Sequence, residues 1–285
     1  MDRDASRSEI KKHVQAFYDT LPFNHWGSVA SAAEAIRTNP IQQNYPDLHR
    51  LLKRRDVRSI AEFGCGAGWL SCSIAVHYGL SVTAVDFSAS ALERAQALAK
   101  ASGVQGLVTF AHRDLFDEHS HPPVDSVISL GVLHHTGDVR RAFRHVQDAA
   151  RTDGYLYVGL YHEPGRRVFL DMFAELVARD GEEAAFVKYC ELSAARTTDE
   201  EHLRSWFRDQ VLHPHETQHT LKEVAAWCRE DGLELKSTSI NQFARLRDLE
   251  SVFELETTYA ERSRQANVVD GRFFPGFFTV LAQRT

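Results

Sequence analysis

Four cysteines in 285 residues, none of them in a C-x-x-C pair, exclude a finger-type zinc site and a disulfide framework. Cys65, Cys72, Cys190 and Cys228 therefore read as reduced and mostly buried, with Cys65 either facing a sheet or serving as a catalytic thiol. Excess positive charge is also missing. A net charge of -6 and an isoelectric point near 6.2 withhold the sequence-independent attraction that nucleic-acid binders have for polyanions, so no nucleic acid is expected as a partner. No apolar run approaches the ~20 residues that cross a bilayer, and the start Met1-Asp2-Arg3-Asp4 is polar, which points away from a membrane and to a soluble, cytoplasmic protein. A Gly-Lys-Ser/Thr phosphate loop is absent as well. The histidines of His213-Pro214-His215-Glu216-Thr217-Gln218-His219 have a proline beside the first of them and no carboxylate set elsewhere, so no metal is expected and the segment reads as a linker.

What is present is concentrated in one stretch. Ile60-Ala61-Glu62-Phe63 is an apolar run ending in Gly64-Cys65-Gly66-Ala67-Gly68, after which the pattern turns helical. Glycines at alternating positions between a strand and a helix let a ligand lie against bare backbone. A second apolar run, Val82-Thr83-Ala84-Val85, closes on Asp86, which is placed to accept hydrogen bonds from ribose hydroxyls. The spacing Glu-x-Gly-x-Gly-x-Gly differs from the dinucleotide pattern G-x-G-x-x-G, and Glu62 would repel a phosphate while welcoming a cationic ligand. S-adenosylmethionine carries an ammonium and a sulfonium and has no phosphate.

With these residues the chain resembles the class I S-adenosylmethionine-dependent methyltransferases over roughly residues 59–159. Glu62 to Gly68 is similar to the first motif of that family, and Ala84-Val85-Asp86-Phe87-Ser88 to the second. His112-Arg113-Asp114-Leu115 resembles the third, and Val124 to His135 the fourth in its small-molecule form. The resemblance implies S-adenosylmethionine as cofactor. Glu62, Gly64, Cys65, Gly66 and Gly68 would shape its methionine end, Asp86 and Phe87 the ribose end, and Asp114 and Leu115 the adenine end, with Leu130 and Gly131 alongside. Amide and nucleobase N-methyltransferases of this fold show Asn/Asp-Pro-Pro-Tyr/Phe where this chain has Leu130-Gly131-Val132-Leu133, so such acceptors are disfavoured. Oxygen, carbon, sulfur and aliphatic nitrogen nucleophiles stay open.

Strand patterns near 58–63, 81–86, 106–111, 124–130 and 154–161 alternate with helix patterns near 68–78, 89–101 and 138–150. That alternation predicts an α/β fold: a doubly wound, mostly parallel, seven-stranded sheet with an antiparallel strand at its edge, and a ligand site beyond the carboxyl ends of the strands. The expected organisation is an N-terminal helical lid segment over 1–50, a cofactor-binding core over 51–160 and a helical cap insertion over 161–215. Residues 216–285 complete the core around a second insertion near 243–275. Capping boxes are read at Thr198-Asp199-Glu200-Glu201 and Thr220-Leu221-Lys222-Glu223. The cap is expected over the pocket as the substrate-selecting element, and its helices also leave a homodimer contact open.

Methyl transfer asks mainly for alignment of a nucleophile, with a base only where the nucleophile is protonated. His134 and His135, at the end of the fourth strand, are the catalytic candidates, either as a base or as packing and hydrogen-bonding groups. Tyr18 and Trp26 from the N-terminal segment, and Tyr161, His162 and Arg166 after the fifth strand, are the substrate candidates; Arg166 could hold a carboxylate or phosphate. The function expected is methyl transfer to a small-molecule nucleophile, with an RNA or protein acceptor, or a noncatalytic scaffold, as the alternative.

Overall fold

The computed structural model describes residues 3–20, 23–24, 26–118, 122–193 and 199–285, with the backbone alone for 3–8. Seven strands form one sheet: β1 Ser59–Phe63, β2 Ser81–Asp86, β3 Val108–His112, β4 Val124–Leu130, β5 Ala150–Tyr161, β6 Leu233–Thr238 and β7 Phe277–Arg284. Their order is β3-β2-β1-β4-β5-β7-β6. β1 to β5 pair in parallel, while β7 runs antiparallel to both β5 and the outermost β6. The reversed strand thus lies at the edge region expected from the sequence, one place in from the rim.

The sheet is covered on both faces, as continuous apolar strands require. Ile60, Val82, Ala84, Ile128, Tyr155 and Tyr157 point to one face, where they pack with α2 (Val29–Thr38), α3 (Pro46–Leu52), α4 (Trp69–Tyr78) and α5 (Ala89–Ala101). The alternate residues Ala61, Phe63, Val85, Val127, Leu156 and Val158 meet α6 (Val139–Gln147) and α10 (Leu221–Glu230) on the other. A period of two therefore assigns each strand residue to a face. The sixth helix is shorter than its pattern predicts. Ala150 pairs with Val124 ahead of a register shift, and Asp153 takes a left-handed φ of 60°, so β5 begins within the segment expected to end the helix.

An N-terminal helix, α1 (Arg3–Thr20), precedes these layers. After β5 come α7 (Glu163–Asp180), α8 (Glu182–Ser193) and α9 (Glu200–Val211), which enclose a small core of their own around Phe169, Phe173, Phe186, Tyr189 and Phe207. Asp199 caps α9 by accepting from the His202 N–H. The expected cap residue Thr198 lies outside the described residues. Thr220 does cap α10, accepting from the Glu223 N–H, but the Glu223 carboxylate turns to His219 instead of closing the box. Between β6 and β7 the expected insertion carries two helices, α11 (Leu249–Glu256) and α12 (Tyr259–Arg264), and α12 packs on α7. Among the described residues no helix is long and apolar enough to cross a membrane.

Candidate functional site

One cavity of about 460 Å³ opens at the carboxyl ends of β1, β2 and β4, the position that a doubly wound sheet favours for ligands. Its floor is the glycine turn. The Gly64 and Cys65 N–H groups both donate to the Val85 carbonyl, which stitches the turn to the end of β2. A Cβ at Gly64 would lie 2.3 Å from the Val132 side chain, so only glycine lets β1 and the β4 loop close up. Gly66 adopts φ +52°, and the space its side chain would fill is empty for 4 Å. Here the backbone is bare toward the cavity, as the motif predicts.

Asp86 is buried beside that turn. Its Oδ2 accepts from the Gly66 N–H (2.8 Å) and its Oδ1 from the Ser88 N–H (2.9 Å). Burial pushes the carboxyl up, and these backbone bonds oppose the shift. Behind the turn, and not on the cavity wall, Glu62 accepts from the Ser71 hydroxyl; burial, reinforced by Asp86, pushes it up to about 7. Cys65 and Gly68 also lie behind the wall. Burial holds the Cys65 thiol well above its ordinary range, which leaves it no thiolate character, and Gly68 serves as the left-handed N-cap of α4.

Phe87, Asp114, Leu115, Leu130 and Gly131 complete the sequence-predicted cofactor residues on the cavity wall, from the β2, β3 and β4 ends. Asp114 has a partner that the motifs did not announce: Lys11 of α1, whose Nζ lies 2.5 Å from Oδ2. Lys11 stands on the wall with Ile10, Val14 and Tyr18, all from the same side of α1. The helical spacing of Ile10, Val14 and Tyr18 is visible in the sequence. The acidic partner of Lys11, a hundred residues away, is not.

The two histidines of the β4 loop separate clearly. His134 is fully buried off the cavity, stacked on Tyr161 at 3.9 Å, and its Nδ1 accepts from the Tyr161 N–H (3.1 Å). Burial pushes it well below the usual imidazole range. His135 lines the cavity. Its Nδ1–H donates to the His215 carbonyl (2.9 Å), which fixes the neutral tautomer with a lone pair on Nε2. That Nε2 is buried without a partner among the described residues, and burial pushes the ring down to about 3. His213 stacks against it at 3.7 Å and is likewise pushed down to about 3.

The segment 213–219 does more than link. The Thr217 N–H donates to the His134 carbonyl, the His219 N–H to Tyr161, and the Glu163 N–H to His219, so it straps the α7–α9 insertion to the β4 and β5 ends. The described histidines, cysteines and acids form no cluster able to hold a metal.

Four expected substrate residues stand off the cavity. Arg166 is fully buried and spent on bidentate bonds to Glu216 (3.0 and 2.6 Å) and on the carbonyls of Gln210 and Pro275, so no guanidinium edge is left for an anion. His162 pairs with Glu256 at 2.9 Å. Tyr161 donates its hydroxyl to Asp209 (3.3 Å) beneath Arg166, whose guanidinium lies 3.7 Å from the ring centre. Trp26 lines a separate hollow with Ala67 and Trp69 and stacks on His202. Among the described residues, the α7–α9 insertion contributes none to the cavity wall. It reaches the cavity through α1, because the Tyr18 hydroxyl donates to Asp209 of α9 (2.6 Å). Asp209, the strap and Lys11 are the parts that sequence reasoning missed.

Comparison with known proteins adds to this geometry. A family described as a methyltransferase domain matches residues 61–156. An uncharacterized protein of Synechococcus sp. is 24% identical over 80% of this chain and 60% of its own length. A ubiquinone biosynthesis O-methyltransferase of Rickettsia felis is 29% identical over 47% of this chain and 54% of its own. The chain thus spans little more than half the length of the curated relatives it matches. Among solved structures, magnesium protoporphyrin IX methyltransferase from Synechocystis PCC 6803, with bound SAH, has a TM-score of 0.52 at 15% identity, covering 99% of this chain and 97% of that one. That likeness is one of fold. The glycine turn, the acid after β2 and the family match all fall on the same residues, and residues 61–156 match a methyltransferase domain within a sheet that has the Rossmann-like fold of the class I S-adenosylmethionine-dependent methyltransferases.

Proposed function

We propose that the protein transfers the methyl group of S-adenosylmethionine to a small-molecule nucleophile bearing oxygen, carbon, sulfur or aliphatic nitrogen. The observation that carries this reading is the single cavity that joins Gly66, Asp86, Asp114 and Gly131 to His135, under an apolar face of α1. Bare backbone at Gly66 beside a buried carboxylate suits a nucleoside with free ribose hydroxyls, and the volume suits a cofactor with a small acceptor. Bound there, S-adenosylmethionine supplies an electrophilic methyl group.

The protein's own part is binding, alignment and exclusion of water. Asp86 would accept from ribose hydroxyls and Asp114, which Lys11 now pairs, from the adenine amine. His135 offers Nε2 to the hydrogen of the nucleophile and orients it. A ring that titrates near 3 is too weak a base to strip a firmly held proton at neutral pH, so its work is alignment. His134 acts through packing and through its bonds to the Tyr161 and Thr217 N–H groups. In this reading α1 is the lid over residues of the core, and α7–α9 is the cap that holds the lid. The ubiquinone and protoporphyrin enzymes among the similar proteins support a small acceptor. The four free cysteines fit a reducing, cytoplasmic setting.

The test is incubation of the purified protein with methyl-labelled S-adenosylmethionine and a cell extract, separated afterwards into small-molecule, protein and RNA fractions. Label in the small-molecule fraction is expected. Asp86→Ala should weaken cofactor binding by about 1.5–3 kcal/mol, the worth of hydrogen bonds to a charged acceptor, whereas His135→Ala should spare binding and slow turnover. Label confined to protein or RNA, or unchanged affinity in folded Asp86→Ala, would overturn the assignment.

A further inference from the structure

α1 crosses the cavity and is tied down from its inner face at Lys11 and Tyr18, with weaker bonds of 3.5 Å from Ser88 Oγ to Asp19 and from Arg208 to the Phe17 carbonyl beside them. Lys11 and Tyr18 are two turns apart, about 10.5 Å at 1.5 Å per residue, and both face inward. The first tie, Lys11 to Asp114, is open to water, with the lysine side chain 54% exposed; salt and hydration screen such pairs. The second is of another kind. Tyr18 donates to Oδ1 of Asp209 at 2.6 Å, and Asp209 is buried at 5% exposure. Its Oδ2 accepts from Tyr161 (3.3 Å) and from Gln210 Nε2 (3.1 Å), and Asp209 forms no ion pair among the described residues. Burial and the neighbouring carboxylate hold the Tyr18 phenol protonated, so it stays a donor. The Tyr18 ring stands edge-on to His135, with ring centres 6.5 Å apart.

We propose that Asp209 is a positioning residue for methyl transfer: through the Tyr18 hydroxyl it latches the C-terminal half of α1 over the acceptor end of the cavity, so that the α7–α9 insertion governs how long the cavity stays shut. The proposal rests on the functional reading above for what the cavity contains, but not for the existence of the latch. A purely structural Asp209 would be served as well by Tyr161 and Gln210, and would be indifferent to the Tyr18 hydroxyl. A latch depends on that one bond.

The experiment compares wild type, Tyr18→Phe, Asp209→Ala, Asp209→Asn and the double variant Tyr18→Phe/Asp209→Ala. Two readouts are taken: amide hydrogen exchange across the whole chain, and the dissociation rate of S-adenosylhomocysteine. Tyr18→Phe keeps the ring and the fold. It should speed exchange over residues 9–20 by about tenfold, the factor that 1.4 kcal/mol makes, while β1 to β5 stay protected. Asp209→Ala should do the same, the double variant should do no more than either single one, and Asp209→Asn, whose amide oxygen still accepts, should fall between. S-adenosylhomocysteine should leave the latched protein more slowly by a matching factor. Unchanged exchange in Tyr18→Phe, or effects that add in the double variant, overturn the latch. If wild type binds no S-adenosylhomocysteine and yet exchange follows the expected pattern, the functional reading fails and the latch stands.

Discussion

Asp86 and Asp209 are both buried carboxylates serving one cavity, but they are built differently. Asp86 is held by the backbone N–H groups of Gly66 and Ser88, which the turn geometry supplies whatever the surrounding side chains are. Asp209 is held by the side chains of Tyr18, Tyr161 and Gln210, two of them from elements far away in the chain. The end of the cavity proposed for the cofactor is therefore a property of local backbone, and the end proposed for the acceptor is a property of assembled side chains. An arrangement made by backbone survives most substitutions around it. One made by side chains is specific, and each member is exposed to loss.

The sharpest way to break the contrast is at Arg166. Arg166→Ala leaves Glu216 without its bidentate partner and two carbonyls without donors, and removal of one member of a buried ion pair costs about 3–5 kcal/mol. Denaturant unfolding should show that loss. A change below about 1 kcal/mol would mean that the assembled half tolerates substitution as well as the turn does.

This difference also decides what could be read from the sequence. Gly64, Gly66, Asp86, Leu130 and Gly131 sit in short motifs whose geometry is local, so their place on one cavity wall was legible. Arg166 carried the right chemistry for an anion, but nothing near it in the chain announced Glu216, fifty residues on. His134 and His135 were indistinguishable as adjacent imidazoles. They differ because one meets the Tyr161 N–H and the other the His215 carbonyl, both set by tertiary contacts. The mostly parallel, doubly wound sheet followed from the alternation of elements, whereas the early start of β5 depended on a bulge that no periodicity signals.

Acid should separate the two halves next. His135 and His213 are pushed down to about 3, and His134 well below its ordinary value, so the folded state binds fewer protons than the unfolded chain between roughly pH 3 and 6.5. Their contribution is complete above about pH 6.5 and falls as pH drops, by up to ~1.4 kcal/mol per pH unit for each ring. Glu62, pushed up to about 7, works in the opposite sense between roughly pH 4.5 and 7. Stability should therefore decline between pH 6.5 and 5, with α1 and the 213–219 strap losing hydrogen-exchange protection before the glycine turn. Loss at the turn first would reverse the comparison.

The smallest effect should come from Lys11→Ala. An ion pair this exposed contributes about 0–1 kcal/mol, and its loss should disappear at high salt, as thermal unfolding at two ionic strengths can show.

The strap 213–219 has a consequence for how such a protein can change over generations. It fixes the tautomer of His135 with a carbonyl, it grips the β4 loop and the end of β5 with the Thr217 and His219 N–H groups, and it holds the start of α7 with the His219 carbonyl. Any sequence able to follow the same path would present the same carbonyl. The side chain that the strap carries at position 215 is thus free to change without retuning the neighbouring imidazole.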